Sequence, residues 1–99
     1  MSNKYQLEFT KKAARKYKKL TVNNNQLQQK IQEILKLLVD DPFHSRLKSH
    51  KVQISNYGIV YSSSITKDIR IIWDFEKEKV TIILLDIGGH SGSKGVYKL

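Results

Sequence analysis

Residues 59–66, 69–76 and 80–87 are rich in β-branched and aromatic side chains, and they are separated by only Lys67-Asp68 and Lys77-Glu78-Lys79. Links this short cannot carry a crossover, so the three runs must pair as hairpins and form an antiparallel meander. The rest of the chain has to pack on that sheet. The last run, Val80-Thr81-Ile82-Ile83-Leu84-Leu85, is apolar on both faces, as a central strand should be. Gly88-Gly89 is expected to end it.

In the middle strand, alternation places Ile69, Ile71, Trp73 and Phe75 on one face and Arg70, Ile72 and Asp74 on the other. The strand before it divides in the same way. Ile59, Tyr61 and Ile65 suit a covered face, and Ser62, Ser64 and Thr66 an open one. Upstream lies the material for the cover. Residues 5–9 alternate as a short half-buried strand, and Thr10 can cap a helix running to about Lys19, with Ala13, Tyr17 and Leu20 on its apolar side. After the polar connector 21–25, Leu27, Ile31, Ile34, Leu35 and Leu38 recur at helical spacing until Asp40-Asp41-Pro42 stops the helix. Residues 43–53 read as a basic, irregular loop leading into an edge strand. The expected fold class is α+β: an N-terminal strand and two antiparallel helices packed on one face of a small, mainly antiparallel sheet.

With 99 residues the chain has room for one compact core. Eighteen Lys and Arg against nine Asp and Glu leave a formal charge of +9, a field that attracts polyanions and makes nucleic acid the first partner to consider. Cysteine is absent, which excludes disulfides, thiolate metal sites and a cysteine nucleophile. The three histidines lack the i, i+4 spacing of a helical zinc site, so no metal or other cofactor is expected. No run reaches the roughly 20 apolar residues that span a bilayer, and Met1-Ser2-Asn3-Lys4 leads into no signal-peptide core. The expectation is a cytoplasmic protein.

Arg70 in the middle of a strand is costly to bury without an anion. It can pair internally with Asp74 or Asp86, or it can clamp a phosphate, since guanidinium is planar, always charged and suited to a phosphorane-like transition state. His90, following Gly88-Gly89, can exchange a proton near neutral pH or stand as a solvated loop histidine. His50 has the same two readings in a more basic setting, beside Arg46, Lys48 and Lys51, which are candidate RNA contacts. His44 reads as a turn residue. In the glycine-rich end, Tyr97 can stack on a base or pack on the sheet edge, and Lys94 and Lys98 can meet phosphates or stay in solvent.

Phe9-Thr10-Lys11-Lys12-Ala13 opens the first helix, Asp41-Pro42 closes the second, and Lys48-Ser49-His50-Lys51 precedes the hairpins. Asp68-Ile69-Arg70-Ile71-Ile72-Trp73 forms the middle strand, and Leu84-Leu85-Asp86-Ile87-Gly88-Gly89-His90 lies near the end. In this order the motifs resemble toxins of the RelE/ParE superfamily over nearly the whole chain, which implies one toxin domain over residues 1–99. Within the superfamily, RelE-like and YafQ-like members cleave messenger RNA, usually on the ribosome, and ParE-like members poison DNA gyrase without nuclease chemistry. The late Gly-x-His points to the cleaving branches, whose histidine, strand arginine and C-terminal aromatic fall on His90, Arg70 and Tyr97. His50 falls on a basic or histidine position before the hairpins. Six residues separate His90 from Tyr97, more than in many members.

The resemblance implies a metal-independent endoribonuclease. The RNA 2′-oxygen would attack the adjacent phosphate, with Arg70 holding that phosphate, His50 as general base and His90 as general acid, or Lys48 or Lys51 in a histidine's place. It also implies a small acidic antitoxin as protein partner, and the +9 charge fits such a partner independently. A gyrase inhibitor and a non-catalytic RNA-binding module are the competing functions.

Overall fold

The computed structural model describes residues 4–76 and 80–89. The elements follow in the order β1 (Gln6–Phe9), α1 (Lys11–Thr21), α2 (Asn25–Asp40), a single 3-10 turn (Ser45–Leu47), β2 (His50–Ile54), β3 (Gly58–Ser64), β4 (Ile69–Phe75) and β5 (Thr81–Gly89). They form one five-stranded sheet in the order β1-β5-β4-β3-β2, antiparallel except for β1, which runs parallel to β5. The expected α+β architecture is therefore present, with β5 in the interior of the sheet. The link 77–79 lies outside the described residues.

The helices begin where side chains satisfy their first amides. The Thr10 hydroxyl accepts from the Ala13 N–H at 3.1 Å, and the Asn24 carboxamide accepts from the Leu27 N–H at 3.1 Å. The Thr10 hydroxyl also donates to the Leu85 carbonyl at 3.1 Å. That carbonyl lies at a β-bulge: Ile72 pairs with Asp86 but Trp73 pairs with Leu84, leaving Leu85 as the extra residue of β5. One hydroxyl thus fastens the start of α1 to the irregular point of the central strand.

The main core lies between helices and sheet. Ala13 of α1 and Ile31, Ile34, Leu35 and Leu38 of α2 pack on Ile65, Ile71, Trp73, Ile82, Leu84 and Ile87. On the opposite face Ile54, Val60 and Ile72 form a second, smaller apolar cluster, joined by the partly buried Val52, Tyr57 and Leu85. Among the described residues no helix is long and apolar enough to cross a membrane.

Several details depart from the sequence reading. The segment 43–53 is more ordered than a loop: Ser45–Leu47 makes a 3-10 turn and β2 begins at His50. α1 continues to Thr21, and β5 runs through Gly89 instead of ending before the glycines. Ile59, assigned to the covered face, is 67% exposed, because it pairs with Gln53 of the edge strand while the β3–β4 ladder starts only at Tyr61. The face opposite the helices is neither purely polar nor open throughout, since Ile72 and Ser62, the latter assigned to the open side, are both fully buried there.

Candidate active site

β4 carries Arg70 to the face opposite the helices, between Ser64 of β3 and Gly88 of β5. Gly88 puts no side chain beside it. Nη1 of Arg70 donates to the Ser64 hydroxyl and to the Thr66 carbonyl, the latter at 3.1 Å. Both bonds fall on one nitrogen. Among the described residues, nothing engages the Nε and Nη2 edge, the edge that presents two parallel donors to a phosphate or carboxylate.

The internal ion pairs considered for Arg70 do not form. Among the described residues the salt bridges are Lys12–Asp86, Lys16–Asp86 and Arg46–Glu33. The Asp74 carboxylate instead accepts from the Phe75 N–H at 2.9 Å. Asp86 has its side chain 5% exposed and is held by Lys16 at 2.7 Å and Lys12 at 3.4 Å. α1 begins where β1 ends, so these lysines reach around the edge of the sheet. Both lie off the apolar side of α1 that Ala13, Tyr17 and Leu20 define, and no local pattern signals a partner that lies some seventy residues away.

His50 pairs with Ser62 and Ser62 with Ile72, which puts His50 on the same face as Arg70, two strands away and offset by two residues. Sheet spacings of about 4.8 Å between strands and about 3.4 Å per residue separate their Cα positions by about 12 Å. Two side chains with a phosphate group between them can bridge that span. The His50 ring is oriented by its Nδ1, 2.9 Å from the Lys48 carbonyl. A carbonyl can only accept, so this bond puts the proton on Nδ1 and leaves Nε2 of the neutral ring as the proton acceptor. Lys48 reaches this position with φ 51°, a left-handed conformation uncommon for a lysine. His44 is spent differently: its Nδ1 accepts from the Arg46 N–H at 3.1 Å and caps the 3-10 turn.

The loop before His50 is tied to the sheet through the hydroxyls of half-buried Ser49 and buried Ser63. Ser49 Oγ donates to the Pro42 carbonyl at 2.6 Å, and Trp73 Nε1 donates to Ser63 Oγ at 2.8 Å. The 2.6 Å contact between the two serines must then run from Ser63 to Ser49, since the Ser49 proton is already committed. The result is a directed chain from Trp73 through Ser63 and Ser49, the residue before His50, to the Pro42 carbonyl.

The other proposed basic contacts disperse. Arg46 bonds Glu33 of α2 at 3.0 Å, and Glu33 is held below the ordinary carboxylate range, first by that hydrogen bond and then by the charges of Lys30 and Arg46. Lys51 pairs with Tyr61, which turns it to the face opposite that of His50. Lys48 is exposed in the turn. His90, Lys94, Tyr97 and Lys98 lie outside the described residues.

A family model described as a bacterial toxin of type II toxin-antitoxin system, YafQ, matches residues 5–93. The chain belongs to this family of toxins. The matched stretch takes in Arg70, His50 and His90 and stops before Lys94, Tyr97 and Lys98. The toxin's fold is similar to that of the YoeB dimer from Staphylococcus aureus, with TM-score 0.70, 22% identity, and coverage of 89% of this chain and 99% of that one. It is also similar to YafQ from E. coli, with TM-score 0.66, 17% identity and coverage of 86% and 92%, respectively. The archaeal RelE-RelB complex from Pyrococcus horikoshii gives TM-score 0.70, 14% identity and coverage of 91% and 99%. No sequence among curated proteins matches the chain.

Proposed function

We propose that the toxin is an mRNA endoribonuclease that acts in the cytoplasm with the ribosome, and that residues 1–99 work as a single catalytic domain. The observation that carries this reading is the Arg70 guanidinium on the open face, unpaired with any carboxylate among the described residues, with its Nε and Nη2 edge available. A protein inhibitor of gyrase has no need of such a group on one face with a histidine whose Nε2, among the described residues, is left as a proton acceptor.

His50 Nε2 removes the 2′-hydroxyl proton of the RNA. The 2′-oxygen attacks the adjacent phosphorus, Arg70 stabilises the added negative charge, and the P–O5′ bond breaks. A 2′,3′-cyclic phosphate forms, and an acid, His90, protonates the departing 5′-oxygen. Tyr97 stacks on a neighbouring base, and Lys48, Lys94 and Lys98 screen flanking phosphates.

The protein partner is a small acidic antitoxin. Similar folds occur in YoeB-YefM, DinJ-YafQ and RelE-RelB complexes, and a chain of formal charge +9 complements an acidic partner.

Inducible expression followed by mapping of mRNA 5′ ends tests the activity. Discrete new ends are expected, and growth arrest with intact mRNA would overturn the nuclease. Arg70→Ala removes a transition-state charge contact, so cleavage should fall on the order of a hundredfold or more, with thermal unfolding unchanged. A fully toxic Arg70→Ala variant refutes the assigned role.

A further inference from the structure

The Lys12–Asp86–Lys16 cluster has more cation than its carboxylate needs. One lysine would neutralise Asp86, and a second leaves a surplus positive charge held in place by a buried anion. An apolar residue at this point of the sheet would have cost less, because a buried ion pair seldom adds net stability over a packed hydrophobic side chain. The cluster's position is informative. Asp86 pairs with Ile72 on the face that carries Arg70, and it lies one strand across and two residues along from Arg70, about 8 Å by sheet spacing. Lys16 is largely covered, its side chain 24% exposed, whereas that of Lys12 is 43% exposed. Lys12 Nζ also stands 5.9 Å from the centroid of the Tyr57 ring, a half-buried ring on the same face. Lys16 therefore serves as the main counter-ion of Asp86, and Lys12, held between carboxylate and ring, is the more exposed cation of the two.

We infer that Lys12 forms a second phosphate subsite for single-stranded RNA, next to the phosphate held by Arg70, with Lys16 and Asp86 as positioning residues. The inference deepens the nuclease reading, since it assigns the neighbouring phosphate of the same RNA strand. Its geometry comes from the open face alone. Adjacent phosphates of an RNA strand are six bonds apart, which suits two cationic sites one strand apart on a sheet. The surplus charge on α1 would guide the strand along β5 toward Arg70.

The test uses binding without cleavage: the intact toxin is titrated with a short single-stranded RNA whose 2′-hydroxyls are methylated, across a range of salt concentrations. Each phosphate contact to single-stranded nucleic acid contributes about 0.7 to the slope of log affinity against log salt. Lys12→Gln should lower the slope by about that amount and weaken binding severalfold at low salt. It leaves Lys16 on Asp86, so the fold should hold, and buried Trp73 fluorescence checks it. Asp86→Asn removes a negative charge, raising the net charge by one, but also removes the anchor, so it should bind this RNA no tighter than the wild type. An unchanged slope in Lys12→Gln, tighter binding by Asp86→Asn, or failure of the wild type to bind would each overturn the subsite. A wild type that binds with the expected salt response but cleaves no mRNA defeats the nuclease reading and leaves the subsite standing.

Discussion

Along β4, Ile71 and Trp73 point toward the helices and are fully buried, whereas Arg70 and Asp74, on the other face, are only half-buried. The covered face is completed by apolar fit. Its main polar path, from Trp73 through Ser63 and Ser49 to the Pro42 carbonyl, ends on an internal acceptor. On the open face the site groups are held at one atom and, among the described residues, keep capacity at others: Arg70 through Nη1, His50 through Nδ1, Lys12 through Asp86. Saturated bonding gives one face rigidity, and partial bonding gives the other a site. The same strands supply both because their side chains alternate.

Substitutions on the two faces should therefore separate stability from activity. The largest stability effect is expected for Trp73→Ala, which empties a fully buried site: about 3–5 kcal/mol, out of a total that for such domains is about 5–15 kcal/mol. Denaturant unfolding measures it, and a loss no larger than that of a surface change would break the contrast with Arg70→Ala. Ser63→Ala is next, at about 1–3 kcal/mol, because it strands the Trp73 N–H in the core and cuts the path to Ser49. Since that path steadies the loop before His50, Ser63→Ala should also lower cleavage. Full cleavage at reduced stability would show that the two faces are independent. Arg46→Gln gives the smallest effect. Glu33 is depressed in the folded state, so its stabilising contribution is present above the unfolded carboxylate value and lost as pH falls through the folded one. Because the pair is exposed, only a small stability change is expected. The informative measurement is the Glu33 titration by NMR, which should move up toward the ordinary range in Arg46→Gln; an unmoved midpoint would mean that Lys30 is the main cause.

The helices were legible because each combines a 3.6-residue apolar pattern with a capping side chain, both of which are local. β5 was legible as an interior strand from its run of apolar residues. β2 was harder: His50-Lys51-Val52-Gln53-Ile54 has few apolar positions, and its order comes from pairing with β3. The face of Arg70 followed from alternation, but its partners did not. Asp86 looked as suitable a counter-ion as any until the fold brought Lys12 and Lys16 to it from α1.

What the sequence determined by itself is therefore what local physics controls: the element types, the hairpin connectivity, the side of β4 on which Arg70 stands, and the basic charge of the whole. The tertiary structure decided which charges meet. It placed the bulge at Leu85, capped by a hydroxyl from another element, and it turned Arg46 and Lys51 away from His50 while drawing Lys12 toward the site. Such pairings depend on strand register and on where one element ends beside another, and these are set by packing over long separations that no short run of residues encodes.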